Sequence, residues 1–151
     1  MSKQTQNQID PRGPRFGAAI TSLLLLLTVW LDLDQATQSA AFGLLVAITA
    51  LFAIGAAFGN SKHPYGWIFK KFVRPRLAAP KELEDSRPPQ FAQAVGLIVA
   101  GIGVLLQLLG VQYAVGYAAA AAFIAAFLNA AFAYCLGCQI YLGLKRAGVI
   151  R

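Results

Sequence analysis

A chain of 151 residues with 58% hydrophobic and 13% charged side chains and a mean hydropathy of +0.59 is too apolar for an ordinary water-soluble domain. Its net charge of +7 would point to nucleic acid in a soluble protein. Here the basic residues lie between and beside apolar blocks, so a lipid bilayer is the expected partner and nucleic acid is not. Four such blocks, each near the ~20 residues that cross ~30 Å of hydrocarbon, predict an all-α fold. The expected architecture is a four-transmembrane-helix bundle in a single membrane domain, with a basic cytoplasmic loop between helices 2 and 3.

Residues 1–15 read as a polar lead punctuated by Pro11, Gly13 and Pro14 and carrying Lys3, Arg12 and Arg15. The first crossing is predicted at 16–31, with Trp30 at its interfacial end. Asp32 and Asp34 make a polar turn, after which Thr37 or Ser39 can cap a second crossing at 40–58. Gly59 and Asn60 end it. Across 61–90, Lys62, Lys70, Lys71, Arg74, Arg76, Lys81 and Arg87 are threaded among Trp67, Phe69, Phe72 and other apolar residues. Ile68, Phe72 and Val73 follow helical spacing. Two readings stand: an interfacial helix whose Trp67, Lys70, Lys71, Arg74 and Arg76 meet anionic headgroups, and a solvated basic loop.

Pro75, Pro80, Pro88 and Pro89 impose extended or turn geometry before a third crossing at 91–111. Gly96, Ala100 and Gly103 fall on one side of it, where missing side chains allow a neighbouring backbone close. Gln107 sits deep enough that it is expected to face a partner helix. The fourth block runs from Ala114 to Leu144 and, at ~1.5 Å per residue, is longer than the hydrocarbon. It must emerge, tilt or break; the crossing is assigned to 114–138, with a tail at 139–151. Lys and Arg occupy the lead, the middle loop and the tail (Lys145, Arg146, Arg151) and neither short turn, so both termini are expected in the cytoplasm.

Cys135 and Cys138, the only two cysteines, form the candidate thiol pair near the cytoplasmic end of the fourth crossing. At i and i+3 they share a helix face, so a disulfide is sterically accessible. In a helix unbroken through Cys138 the thiols sit toward a C-terminus, where the macrodipole opposes a thiolate. A break at Gly137 would instead put Cys138 at the start of a short segment near Lys145 and Arg146. Gln139, Tyr134 and Tyr141 are candidate supporting residues, although tyrosine near a membrane boundary also serves as an anchor. Asn129 projects from nearly the opposite side and is expected to tie the bundle together. Packing residues are the competing reading of the cysteines. The reducing cytoplasm argues against a static disulfide and leaves a reduced pair that cycles or packs. Two thiolates and the distant His63 do not complete a zinc site, so no metal and no cofactor is expected. Asp and Glu are absent from the predicted crossings, which disfavours a carrier working through buried carboxylates.

Several stretches resemble a bacterial family of small integral membrane proteins catalogued as a domain of unknown function. They are Ile9-Asp10-Pro11-Arg12-Gly13-Pro14-Arg15-Phe16, His63-Pro64-Tyr65-Gly66 with Val73-Arg74-Pro75-Arg76-Leu77, Pro88 to Gly96, and Asn129 to Tyr141. Tyr134 departs from the phenylalanine expected before the first cysteine. The resemblance implies four membrane helices in the bacterial cytoplasmic membrane and no assigned activity. It also implies occurrence beside thioredoxin-like proteins and sulfurtransferases, hence thiol or sulfane-sulfur traffic. Three functions follow as expectations: thiol-disulfide or sulfane-sulfur exchange with a soluble partner, a non-enzymatic accessory subunit of a larger membrane complex, and a small homo-oligomeric transporter of a sulfur compound.

Overall fold

A computed structural model of the chain describes residues 8–59, 63–79 and 81–149. Positions 1–7 of the expected lead, with Lys3, the expected helix end at Asn60, positions 61, 62 and 80 of the expected loop, and 150–151 of the expected tail lie outside the described residues. The elements are β1 (Gln8–Ile9), α1 (Arg12–Asp32), α2 (Gln38–Phe58), α3 (Pro64–Ile68), β2 (Glu84–Asp85), α4 (Arg87–Leu108), α5 (Ala114–Phe132) and α6 (Leu136–Arg146). Helices α1, α2, α4 and α5 are long and apolar enough to cross a membrane. The molecule is an all-α, multi-pass membrane protein built as a helical bundle.

Helices α1 and α4 begin earlier than the apolar runs suggest, for a local reason. Asp10 accepts the Arg12 N–H at 3.0 Å, and Asp85 accepts the Arg87 N–H at 3.0 Å, so each carboxylate satisfies a donor that a helix start leaves open. Pro88 and Pro89, read above as extended or turn residues, are instead the first turn of α4. A proline there gives up an N–H that would have no helical partner.

In the bundle α1 packs on α5 and α2 on α4, and the α1–α2 and α4–α5 contacts close the ring. Leu25, Leu45, Ile48, Ala100, Val115 and Ala119 form its core. Ala100 is buried, a Cβ on Gly103 would run into Ala118, and one on Gly96 would come within 2.6 Å of the Phe52 ring. Helix α1 extends one residue beyond the expected turn boundary to include Asp32, which is buried. Its Oδ2 accepts the Gly116 N–H at 2.9 Å in the first turn of α5, a cap supplied by a different helix. Gln107 lies beside Gln38 and Ser39 at the start of α2.

The two halves of the chain repeat one plan. Each starts with a two-residue strand, and these strands pair antiparallel, Gln8 opposite Asp85 and Ile9 opposite Glu84. Each continues with an Asp-x-Arg ion pair, two membrane helices and a short helix returning to the same end of the bundle. One fixed shift along the sequence lays Asp10 on Asp85, Arg12 on Arg87, Pro14 on Pro89, Phe16 on Phe91 and Asp32 on Gln107. Phe69, just past α3, packs on Phe16 of α1 with ring centroids 5.8 Å apart, and Tyr141 of α6 packs on Phe91 of α4 at 5.6 Å. Each half has two spans, so the halves run parallel, related by an axis along the membrane normal.

The middle loop is helical from Pro64 to Arg76: α3 passes through a π-helical turn at Phe69–Val73 and a 3-10 turn at Arg74–Arg76. The wide turn shifts the register, so Phe69 rather than Phe72 is the buried residue. Trp67 and Phe72 are exposed, and the Lys71 ammonium sits 4.7 Å from the centre of the Trp67 ring. His63 caps α3 and is buried: Nδ1 accepts the Tyr65 N–H at 3.2 Å, which leaves Nε2–H to donate to the Leu51 carbonyl at 2.9 Å.

Burial holds the His63 pKa below its ordinary value, against a smaller opposing effect of the Leu51 hydrogen bond. The neutral ring is therefore the form the fold accepts. As pH falls below ~6.5 the unfolded segment takes up a proton that the folded ring resists, so stability complete above that pH is progressively lost below it. Amide exchange at Tyr65 and Trp67, corrected for its intrinsic pH dependence, is expected to accelerate as pH drops from about 6.5 to 5. The His63→Asn protein should show no such acceleration.

Candidate functional site: the disulfide at the head of α6

Helix α5 ends without glycine or proline. Ala133 adopts φ 57° and its N–H bonds the Asn129 carbonyl at 3.1 Å, the bond of an αL cap, while the Tyr134 N–H bonds Leu128 O at 3.2 Å. A left-handed alanine costs ~1–2 kcal/mol. The chain is extended at Cys135 and helical again from Leu136. The fourth crossing thus ends at Phe132 rather than 138, and the break falls ahead of the cysteines rather than at Gly137. Residues expected as a tail form α6.

Gly137 lies inside the first turn of α6. A Cβ there would be 2.5 Å from both Cα and Cβ of Ala92, so this glycine serves the approach of α6 to α4 and not a kink. Cys135, rather than Cys138, occupies the start of the new helix: its Sγ accepts the Cys138 N–H at 3.1 Å, and its carbonyl accepts the Gln139 N–H at 3.0 Å. The two cysteines are joined as a disulfide, with Cα atoms 5.1 Å apart, in place of the reduced pair expected from sequence. The helix break is the cause, because it places one cysteine at the cap and the other in the first turn, where the side chains converge.

Both cysteines line a cavity of about 630 Å3 between α1, α4, α5 and α6. It reaches inward to Thr21, Phe52, Val99 and Ala122, and Arg15, Glu84, Asp85 and Gln139 lie among its lining residues. Asn129 lines it too, contrary to the expectation that it points away from the cysteines. A helical-wheel count cannot be carried through a chain that stops being helical at Ala133. Tyr141 is buried against Phe91 rather than anchored at the interface, and Tyr134 is exposed in the break. Trp30 is exposed at the far end of α1, while Lys70, Lys71, Arg74 and Arg76 are exposed at the disulfide end.

Around the cavity, the Arg87 guanidinium holds the Asp85 carboxyl below the usual range, through side-chain contacts at 2.6 to 3.1 Å. Arg15 donates to the Ala130 carbonyl at 3.1 Å. In the first half of the chain His63 and Phe69 are buried and Tyr65 packs against Gly17. Counted back from Tyr141 as Tyr65 is from Phe69, the matching position in the second half is Gly137, which brings α6 onto Ala92 instead. Sequence reasoning missed Gln93, which lines the cavity from α4; its signal was a lone amide inside an apolar run.

Fold and site together define a multi-pass membrane protein that carries a disulfide-bonded Cys-x-x-Cys at the head of a short helix, above a cavity within the bundle. Over residues 9–146 the sequence matches the family described as Domain of unknown function (DUF4395), and the chain belongs to that family. No curated protein and no solved structure matches it.

Proposed function

We propose that the protein is a thiol-disulfide exchanger of a bacterial cytoplasmic membrane that oxidises a soluble dithiol partner through Cys135 and Cys138. The carrying observation is the position of the pair: Cys135 caps α6, its sulfur receives a backbone N–H, and both cysteines border an open cavity. N–H groups at a helix start stabilise a thiolate, the form in which cysteine attacks or leaves. In the forward reaction a partner thiolate attacks Cys135 Sγ and the S–S bond breaks, with Cys138 leaving as a thiolate that takes a proton. The partner's second thiolate then attacks its own sulfur in the mixed disulfide and releases Cys135. The partner becomes a disulfide and the pair a dithiol, two electrons and two protons having moved.

Arg12, Arg15, Arg74, Arg76, Lys145 and Arg146 all lie at the disulfide end of the bundle, which supports a cytoplasmic orientation of that end and of both termini. The exposed Trp67 and Phe72 among lysines and arginines suit contact with anionic headgroups there. A thioredoxin-like or sulfurtransferase protein has the chemistry required of the partner.

The test is incubation of the purified oxidised protein with a reduced thioredoxin-fold protein, followed by alkylation and mass analysis. One partner disulfide should appear for each Cys135–Cys138 pair reduced, and the Cys135→Ser/Cys138→Ser protein should give none. A pair left oxidised by dithiol partners, in a protein whose double-serine variant complements a deletion strain, refutes the reading.

A further inference from the structure

We propose that the cavity beside the Cys135–Cys138 disulfide binds a lipid-soluble quinone, the two-electron acceptor that re-forms the disulfide. The inference rests on the thiol-exchange reading above and supplies the oxidant which that reading leaves open.

Four observations select this class of ligand. The cavity, of about 630 Å3, is lined by the cysteines and extends into the membrane-spanning part of the bundle as far as Val99 and Ala122, the depth at which a lipid-soluble molecule resides. Its α5 wall is Ala121, Ala122, Ala125 and Ala126, small side chains that leave room for an apolar body. The side-chain amides of Gln93 on α4 and Asn129 on α5 line it and have no hydrogen-bond partner among the described residues. An amide within a membrane-spanning helix is costly unless it is used, and its N–H donors suit a carbonyl oxygen. Finally, Arg15 and Glu84 among the lining residues carry opposite charges and Asp85 is paired with Arg87. A lining with no net charge gives a sulfur oxyanion no excess of cations and suits a neutral ligand.

The chemistry balances. One cysteine thiolate adds to a ring carbon of the quinone; the other attacks that sulfur, the C–S bond breaks as the S–S bond forms, and the electron pair leaves on the ring. With the two protons from the thiols the product is a hydroquinone, so two thiols and one quinone become one disulfide and one quinol.

The full-length protein in detergent, reduced anaerobically and mixed with a short-tailed benzoquinone, is expected to yield one quinol and one disulfide per chain. Calorimetric titration of the oxidised protein with the same benzoquinone should give saturable binding. Gln93→Leu and Asn129→Leu should each weaken it at least tenfold. Ala125→Leu, which only occupies space, is the second route should an amide variant fail to fold, and should weaken binding as much. A reduced protein that soluble glutathione disulfide oxidises, but that neither binds benzoquinone nor forms quinol, overturns this inference and leaves the exchange reading standing. A protein oxidised by neither reagent removes both. Binding unchanged in all three variants places the quinone elsewhere and also overturns the proposal.

Discussion

Reduced Cys138→Ser protein, offered a soluble partner carrying a disulfide, is expected to stop at a mixed disulfide on Cys135, whereas Cys135→Ser should trap nothing. The asymmetry comes from the helix start. Cys135 Sγ receives the Cys138 N–H at 3.1 Å, and no hydrogen bond to Cys138 Sγ is present among the described residues. A helix N-terminus carries the equivalent of about +0.5 charge, so a thiolate at the cap is favoured over one within the turn. Each pKa unit below the ~8.5 of an ordinary cysteine is worth about 1.4 kcal/mol and raises the thiolate share near neutral pH by nearly tenfold. In the reduced wild type, iodoacetamide at pH 7 should label Cys135 at least tenfold faster than Cys138, read by peptide mass mapping. Equal rates, or trapping on Cys138 instead, would remove Cys135 from the nucleophile's role.

The membrane helices were legible because lipid leaves a chain few options: apolar blocks of the right length must become helices that satisfy their own backbone. Their ends were less legible, since the residues that set them act twice. Pro88 and Pro89 look like a stop signal and are a start, because Asp85 supplies the missing cap. The break at Ala133 carries no local signal at all. Alanine is a good helix former, and its left-handed turn persists because α6 is held against α4 by Gly137 on Ala92 and by Tyr141 on Phe91.

The cysteines were therefore found as a pair but placed on the wrong backbone, and Asn129 was assigned to the wrong side for the same reason. The internal repeat was readable in Asp10-Pro11-Arg12 and Asp85-Ser86-Arg87, each with a proline and a phenylalanine at matching distance beyond. It is masked elsewhere because two apolar helices of any origin look alike. At one matched position the halves differ in volume: Tyr65 packs its ring on Gly17 in the first, and Gly137 lets α6 close on Ala92 in the second.

Gly137→Val tests that difference directly and should be the most disruptive single change at the site. A Cβ at 137 meets the Cα as well as the Cβ of Ala92 at 2.5 Å, and backbone cannot rotate away as a side chain can. Overpacking of this kind costs about 1–3 kcal/mol, enough to lift α6 from α4, separate Tyr141 from Phe91 and open the cavity wall. Cys135 then loses its fixed cap geometry, so its labelling advantage over Cys138 should shrink along with the unfolding midpoint in detergent. Ala92→Gly in the same protein removes the Cβ and keeps the Cα, so it should restore stability only in part, and the two substitutions should be non-additive. Gly17→Ala in the first half supplies the contrast. Its new Cβ would lie 3.3 Å from the Tyr65 ring, which can yield by a few tenths of an ångström, so a much smaller loss is expected. A Gly137→Val protein as stable as the wild type, with its labelling ratio intact, would mean that the contact between α6 and α4 does not hold the disulfide in place.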